Sequence, residues 1–267
     1  MPTKSPTLTN IDPNARRHDA MGSDYHRTTP LVTPPPGSES GLASGAFCDA
    51  PNCCITSGAG SSSTTPGACA SWARMKRMLD RRLILVKHAL PELQAGLAPR
   101  HWQLGAPGRE GAKRLSEVLR RLGPLRLEHS PEPKAAQTAA LVAAELGLGR
   151  HERRGLEEID RAPQPILSRD SYIAHNARLF AEPTHAVVGT EPAELALSRF
   201  NLAIDAAVSA TSSAEHLAVI THGTVIALFV AAYNPVDALS LWQRLSCPAL
   251  VLLSIPDHVL LEVRDTI

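Results

Sequence analysis

The sequence carries almost no net charge: 27 basic residues stand against 26 acidic ones, a formal charge of +1. No global field therefore draws the chain to nucleic acid or to an anionic membrane, and any electrostatic recognition is local. Long apolar runs are missing too. Nothing approaches the ~20 residues of a membrane-spanning helix, and the N-terminal stretch lacks the apolar core of a secretory signal, so the expectation is a soluble, cytoplasmic protein. Cysteine is scarce where a fold would need staples. Cys48, Cys53, Cys54 and Cys69 come early and only Cys247 comes late, an arrangement that suits neither a disulfide framework nor, without paired C-x-x-C spacing, a zinc site. The chain also has no Gly-x-Ser-x-Gly elbow, no Gly-x-x-x-x-Gly-Lys phosphate loop and no His-Glu-x-x-His, so each chemistry that depends on one of these is set aside. His101, His129, His151, His175 and His185 are scattered without ligand spacing and read as surface or core residues. No metal and no other cofactor is expected.

What is present divides the chain in two. Residues 1–75 hold 19 Ser or Thr, nine prolines and seven glycines, in runs such as TPPPGSES and SGAGSSSTTPGA. Such a segment has too little apolar surface to offset the entropy of ordering it, and residues 1–77 are expected to be disordered. Met75 and Met78 stand just before the first predicted strand. A native protein that begins there, without the first 74 residues, is a further expectation, which its intact mass would test. From residue 78 to 267 the composition turns to Leu, Val, Ala, Arg and Glu with clear periodicity, long enough for one domain with a single core.

Within that domain, Leu83–Val86 is an apolar run bounded by charges and reads as a buried strand. Gly108–Leu122 carries Leu115, Val118, Leu119 and Leu122 at the spacing of one helical face. A second strand is predicted at Leu125–His129 and a helix at Lys134–Leu146, closed by Gly147. Two more helices are expected at Ser168–Phe180 and Glu191–Val208, the apolar face of the latter marked by Phe200, Ile204, Ala207 and Val208. A strand at His216–Thr221, a helix at Gly223–Tyr233, and a hairpin from Ala249–Ile255 to His258–Val263 complete the order. Strands alternating with helices imply a three-layer α/β/α sandwich around a mostly parallel sheet.

Ligands of such sheets bind beyond the carboxyl ends of the strands, where loops meet helix N-termini. His88 follows the strand LILV after one residue, and His222 follows LAVIT directly, so both project at that edge. Each is followed by a small residue, Ala89 or Gly223, that leaves room for a ligand.

The segments LILVKHALPE, HSPEPKAAQTAALVAAEL, LEEID and LAVITHGTVIALF, in this order, resemble the histidine phosphatase superfamily, the phosphoglycerate mutase-like fold. That family's signatures are a strand ending in Arg-His-Gly, a Ser-x-x-x-Arg-Ala-x-x-Thr-Ala segment and a strand ending in His-Gly. The resemblance spans about residue 82 to the C-terminus. It implies that His88 is the nucleophile that becomes a phosphohistidine and that His222 is the second histidine of the phosphate pocket. Lys87 and Lys134 stand where the family has arginines that bind phosphate. Glu158 matches the acid that protonates the leaving oxygen, with its neighbour Glu157 left open as the alternative.

This chemistry is intelligible from the residue types themselves. Two ammonium groups and an imidazole suit a phosphomonoester with about two negative charges, and a neutral imidazole is a nucleophile that needs no metal activation. The departures are equally specific: both arginines are lysines, which keep the charge but lose the planar fork. Ala89 replaces the family's glycine, HALPELQAGL lacks an Asn that often touches phosphate, and RAPQPILSR replaces an aromatic, glycine-containing stretch. Two readings follow: a metal-independent phosphomonoesterase, or a weak or silent domain that binds a phosphorylated ligand or partner. A mutase is disfavoured, since a domain of this size leaves little room for the insertions that enclose phosphoglycerate. The expected partner is a small phosphorylated substrate, not nucleic acid or membrane, and oligomeric state is not readable. Specificity is expected from residues 163–194, where EPTHAVVGTEPAEL is either a lid loop or a plain connection. Trp102 and Trp242 either line a pocket mouth or pack in the core.

Overall fold

The computed structural model describes residues 81–123, 125–161, 163 and 167–267. The expected disorder of residues 1–77 and the alternative start lie outside the described residues. Six strands form one mixed sheet: β1 (Arg82–Lys87), β2 (Leu125–His129), β3 (Arg150–Glu152), β4 (His216–Thr221), β5 (Ala249–Ser254) and β6 (Leu260–Arg264). Their order is β3-β2-β4-β1-β5-β6. The pairings β3-β2, β2-β4 and β4-β1 are parallel, while β5 runs antiparallel to both β1 and β6.

Alternation along the strands builds a core on each face, because successive side chains point to opposite sides of a sheet. Leu83, Leu85, Leu217, Val219, Val251 and Leu253 face one side. There they meet helix α4 (Ala193–Ala210) and helix α5 (Gly223–Tyr233) through Phe200, Ile204 and Phe229. Ile84, Val86, Leu127, Ile220, Leu250 and Leu252 face the other. That side is covered by α1 (Ala106–Arg120) and α2 (Pro133–Leu146), through Leu115, Leu119, Ala139 and Val142. This is the α/β/α sandwich expected from the sequence.

Helix ends follow local chemistry. Pro133 opens α2, where a missing N–H is harmless, and Gly147 ends it in the left-handed region at φ 67°. Helix α3 (Arg169–Ala181) is capped by Ser168, whose side chain accepts from the backbone N–H of Ser171. Helix α6 (Ala238–Arg244) is capped in the same way by Asp237. The 182–192 connection between α3 and α4 packs down on the 158–161 segment. Thr190 donates to Asp160 Oδ2 at 2.5 Å, and a Cβ at Gly189 would fall 1.9 Å from the Asp160 carbonyl oxygen, so only glycine allows this approach. Among the described residues no helix is long and apolar enough to cross a membrane.

Candidate active site

Register decides which side chains meet. In the β1-β4 ladder Lys87 lies opposite Thr221, and the His88 N–H continues it by donating to the Thr221 carbonyl at 2.9 Å. In the β2-β4 ladder His129 lies opposite Ile220, so Ser130 also leaves the sheet at this edge. His88 and His222 therefore emerge side by side, with ring centroids 5.1 Å apart and planes at 62°.

A cavity of about 430 Å³ opens over this edge, with Lys87, His88, Lys134, Glu158 and Gly223 among its lining residues. His88 is 6% exposed, and its Nδ1 lies 2.8 Å from the Ala89 carbonyl oxygen. A carbonyl only accepts, so a neutral His88 carries its proton on Nδ1 and keeps the Nε2 lone pair. Burial, then the neighbouring His222 and Lys134, hold its pKa well below the usual histidine range. His222 is fully buried behind it and does not line the cavity. Its Nε2 lies 2.9 Å from Ser130 Oγ, and its Nδ1 is buried without a partner. Burial, followed by the Lys134 charge, pushes the His222 pKa well down as well.

The two lysines are partly engaged. Lys87 Nζ donates to the Leu245 carbonyl at 2.7 Å. Gly223, which opens α5, lets the Lys87 stem pass, since a Cβ there would stand 3.2 Å from its Cε. Lys134 Nζ donates to the Pro99 carbonyl at 2.7 Å and to the buried Glu132 Oε2 at 2.5 Å. An ammonium has three N–H donors, so each lysine retains capacity for an incoming anion.

Glu158 and Glu157 part ways. Glu158 lines the cavity, with its Oε2 accepting from the Thr224 N–H at the start of α5 and its Oε1 from the Ile159 N–H. Glu157 turns back to accept from the Gly155 N–H at 2.6 Å and lines an adjoining hollow of about 640 Å³, which shares Pro99, Lys134, Glu158 and Arg161 with the cavity. Arg199 on α4 clamps this segment by donating to the carbonyls of Gly155, Glu157 and Glu158. The five residues singled out in the sequence thus converge, four on the cavity and His222 directly behind them.

Sequence reasoning missed two charged residues. Glu132 is buried, accepts from the Glu158 N–H at 2.8 Å and lies 3.7 Å from His222 Nε2. Its place between Ser130 and Lys134 in HSPEPK was the available signal. Arg161 is 8% exposed and lines the cavity. Its Nη2 donates to Asn176 Oδ1 at 2.6 Å and to Thr224 Oγ1 at 3.0 Å, while its Nε is buried without a partner. It sits in RAPQPILSR, the stretch that departs from the family pattern. Trp102, Trp242 and His175 also line the cavity. Among the described residues no group of three His, Cys, Asp or Glu side chains is placed to hold a metal ion.

Such a floor offers the cations Lys87, Lys134 and Arg161 and the Glu158 carboxylate around a neutral imidazole, which can receive a dianion and attack its phosphorus. A family model for the histidine phosphatase superfamily (branch 1) matches residues 83–255. The sequence matches no curated protein. Among solved structures, a mycobacterial glucosyl-3-phosphoglycerate phosphatase aligns at 18% identity over 70% of this chain and 99% of its own, with a TM-score of 0.57. The alpha-ribazole phosphatase from Shigella flexneri aligns at 20% identity over 69% of this chain and 96% of its own, with a TM-score of 0.53. At these identities the likeness is one of fold.

Proposed function

Because this chain belongs to the histidine phosphatase superfamily, branch 1, we propose that it hydrolyses phosphomonoesters through a phosphohistidine on His88, without a metal. The observation that carries the reading is the contact of His88 Nδ1 with the Ala89 carbonyl at 2.8 Å, which leaves Nε2 as the free ring nitrogen of a cavity-lining histidine. The Nε2 lone pair attacks phosphorus as the bond to the ester oxygen breaks. Glu158 protonates that oxygen, so the alcohol leaves neutral. Water then attacks the phosphorus, Glu158 takes a water proton, and the P–N bond breaks to release phosphate. Lys87, Lys134 and Arg161 offset the charge on the phosphoryl oxygens. A phosphoryl oxygen that reaches past the cavity lining would meet the unpartnered Nδ1 of the buried His222, since Nε2 is engaged by Ser130. The substrate is a small phosphorylated molecule, as the names of the two phosphatases above suggest for those proteins.

A second reading, binding without turnover, is favoured by one observation. Glu132 occupies the Lys134 ammonium that a phosphate would otherwise claim outright. Phosphate release from an aryl phosphate across pH 5–8, in the presence of a chelator, separates the two. Hydrolysis that survives chelation and falls by at least about 10⁴-fold in His88→Ala supports catalysis, as does acid-labile phosphate trapped on His88. Phosphate binding to a folded protein that turns over neither aryl nor alkyl phosphates would replace it with the binding reading.

A further inference from the structure

The cavity has a wall that the phosphate chemistry does not use. Above the charged floor stand Leu90, Pro91 and Leu93 from the loop after β1, Trp102 from the following turn, and Tyr172 and Trp242 from α3 and α6. Leu90 and Leu93 are 47% and 52% exposed although they adjoin a charged site. Trp102 spends its single donor within the protein, its Nε1 lying 3.1 Å from the Leu97 carbonyl oxygen and 3.2 Å from that of Gln94. Only its apolar ring is left for a ligand. Tyr172 and Trp242 pack with ring centroids 5.3 Å apart and planes tilted by 55°, and the Arg161 guanidinium lies 5.3 Å from the Tyr172 centroid.

Polar groups on this wall are few. They are Arg169, His175, the Tyr172 hydroxyl and the Trp242 indole N–H, and the His175 Nδ1 is already held 2.7 Å from the Ser171 carbonyl oxygen. Against this wall a polyol or sugar leaving group would give up hydrogen bonds to water and find few replacements, whereas the adjoining hollow, with Arg100, Asp160 and Arg199 in its lining, is where such a group would find them. An alkyl or aromatic group would remove Leu90, Leu93 and Trp102 from water at no such loss.

Resting on the phosphatase reading above, we infer that the substrates are phosphomonoesters of apolar alcohols, with the phosphoryl group on the His88 floor and the hydrocarbon against the Leu90-Leu93-Trp102 wall. Each methylene buried there improves affinity about fourfold, so a chain that buries even two of them gains about tenfold or more.

The test pairs turnover with binding in the full-length protein. Hexyl phosphate and glycerol 1-phosphate are both primary alkyl esters, so their kcat/KM ratio reads recognition more than leaving-group reactivity. It is expected to favour hexyl phosphate at least about tenfold, chiefly through KM, and to shrink severalfold in Leu93→Ser and in Trp102→Ala. Calorimetric binding of hexylphosphonate against methylphosphonate reads the same wall without catalysis, with hexylphosphonate tighter by at least about tenfold. Equal or better use of glycerol 1-phosphate, or a ratio that both variants leave in place, overturns the apolar-substrate inference while leaving the phosphatase reading intact. Preferential hexylphosphonate binding with no hydrolysis of any ester overturns the phosphatase reading and keeps the apolar wall.

Discussion

On the cavity floor the side chains of Lys87, His88, Lys134 and Glu158 are each tied to backbone, whereas on the wall Leu90 and Leu93 stand about half exposed. The floor side chains come from strand ends, the first turn of α2 and a segment clamped by Arg199, so their positions are set before any ligand arrives. The wall comes from loops and from the outer helices α3 and α6. The contrast teaches that charge placement is delegated to the sheet edge, where register is fixed, and that apolar recognition is delegated to elements able to vary without disturbing it.

Breaking the floor is expected to cost most. Lys134→Met leaves the buried Glu132 carboxylate without its cation, and unfolding in urea should show a loss of about 3–5 kcal/mol. Next comes Glu158→Gln, which keeps the hydrogen-bond acceptor at the α5 N-terminus but removes the proton. Steady-state kinetics should show kcat for an alkyl phosphate falling about 10²-fold, with a smaller drop for an aryl phosphate that leaves unaided.

The pH dependence sharpens the comparison further. His88 and His222 are both held below the ordinary histidine value of 6.5 by burial first. Below that value the unfolded chain binds protons that the folded domain refuses, so stability is fully present above it and falls as pH drops toward the depressed folded values, by up to about 1.4 kcal/mol per pH unit for each histidine. Urea titrations at pH 7.5 and 5.5 should show this loss. The smallest effect belongs to Arg161→Lys, which keeps a charge but loses the fork. Competitive inhibition by inorganic phosphate should weaken about tenfold.

Much of this architecture was legible in the sequence because it rests on periodicity. Runs such as LILV and LAVIT are buried on both faces, and the Leu115-Val118-Leu119 spacing admits only a helical face. Strand β3 escaped because its three residues, Arg150–Glu152, are all exposed and carry no alternation. Helix α6, at seven residues, spans too few turns to show a period. In the site, His88 and His222 were readable from their place at strand ends. Glu132 and Arg161 were not, since a carboxylate two residues before a lysine looks like surface charge until both are seen buried. Arg161 lies in 158–161, which forms neither helix nor strand, so no periodic pattern places it at the cavity.

The contact between Gly223 and Lys87 joins positions far apart in the chain. A side chain at 223 would press on the Lys87 stem at 3.2–3.4 Å, shifting the ammonium by a few tenths of an ångström. Conversely, a bulkier cation at 87 would have to find its path past the start of α5. The two signature motifs are thus mechanically interlocked: a residue larger than glycine at 223 is tolerated only where the side chain at 87 can give way.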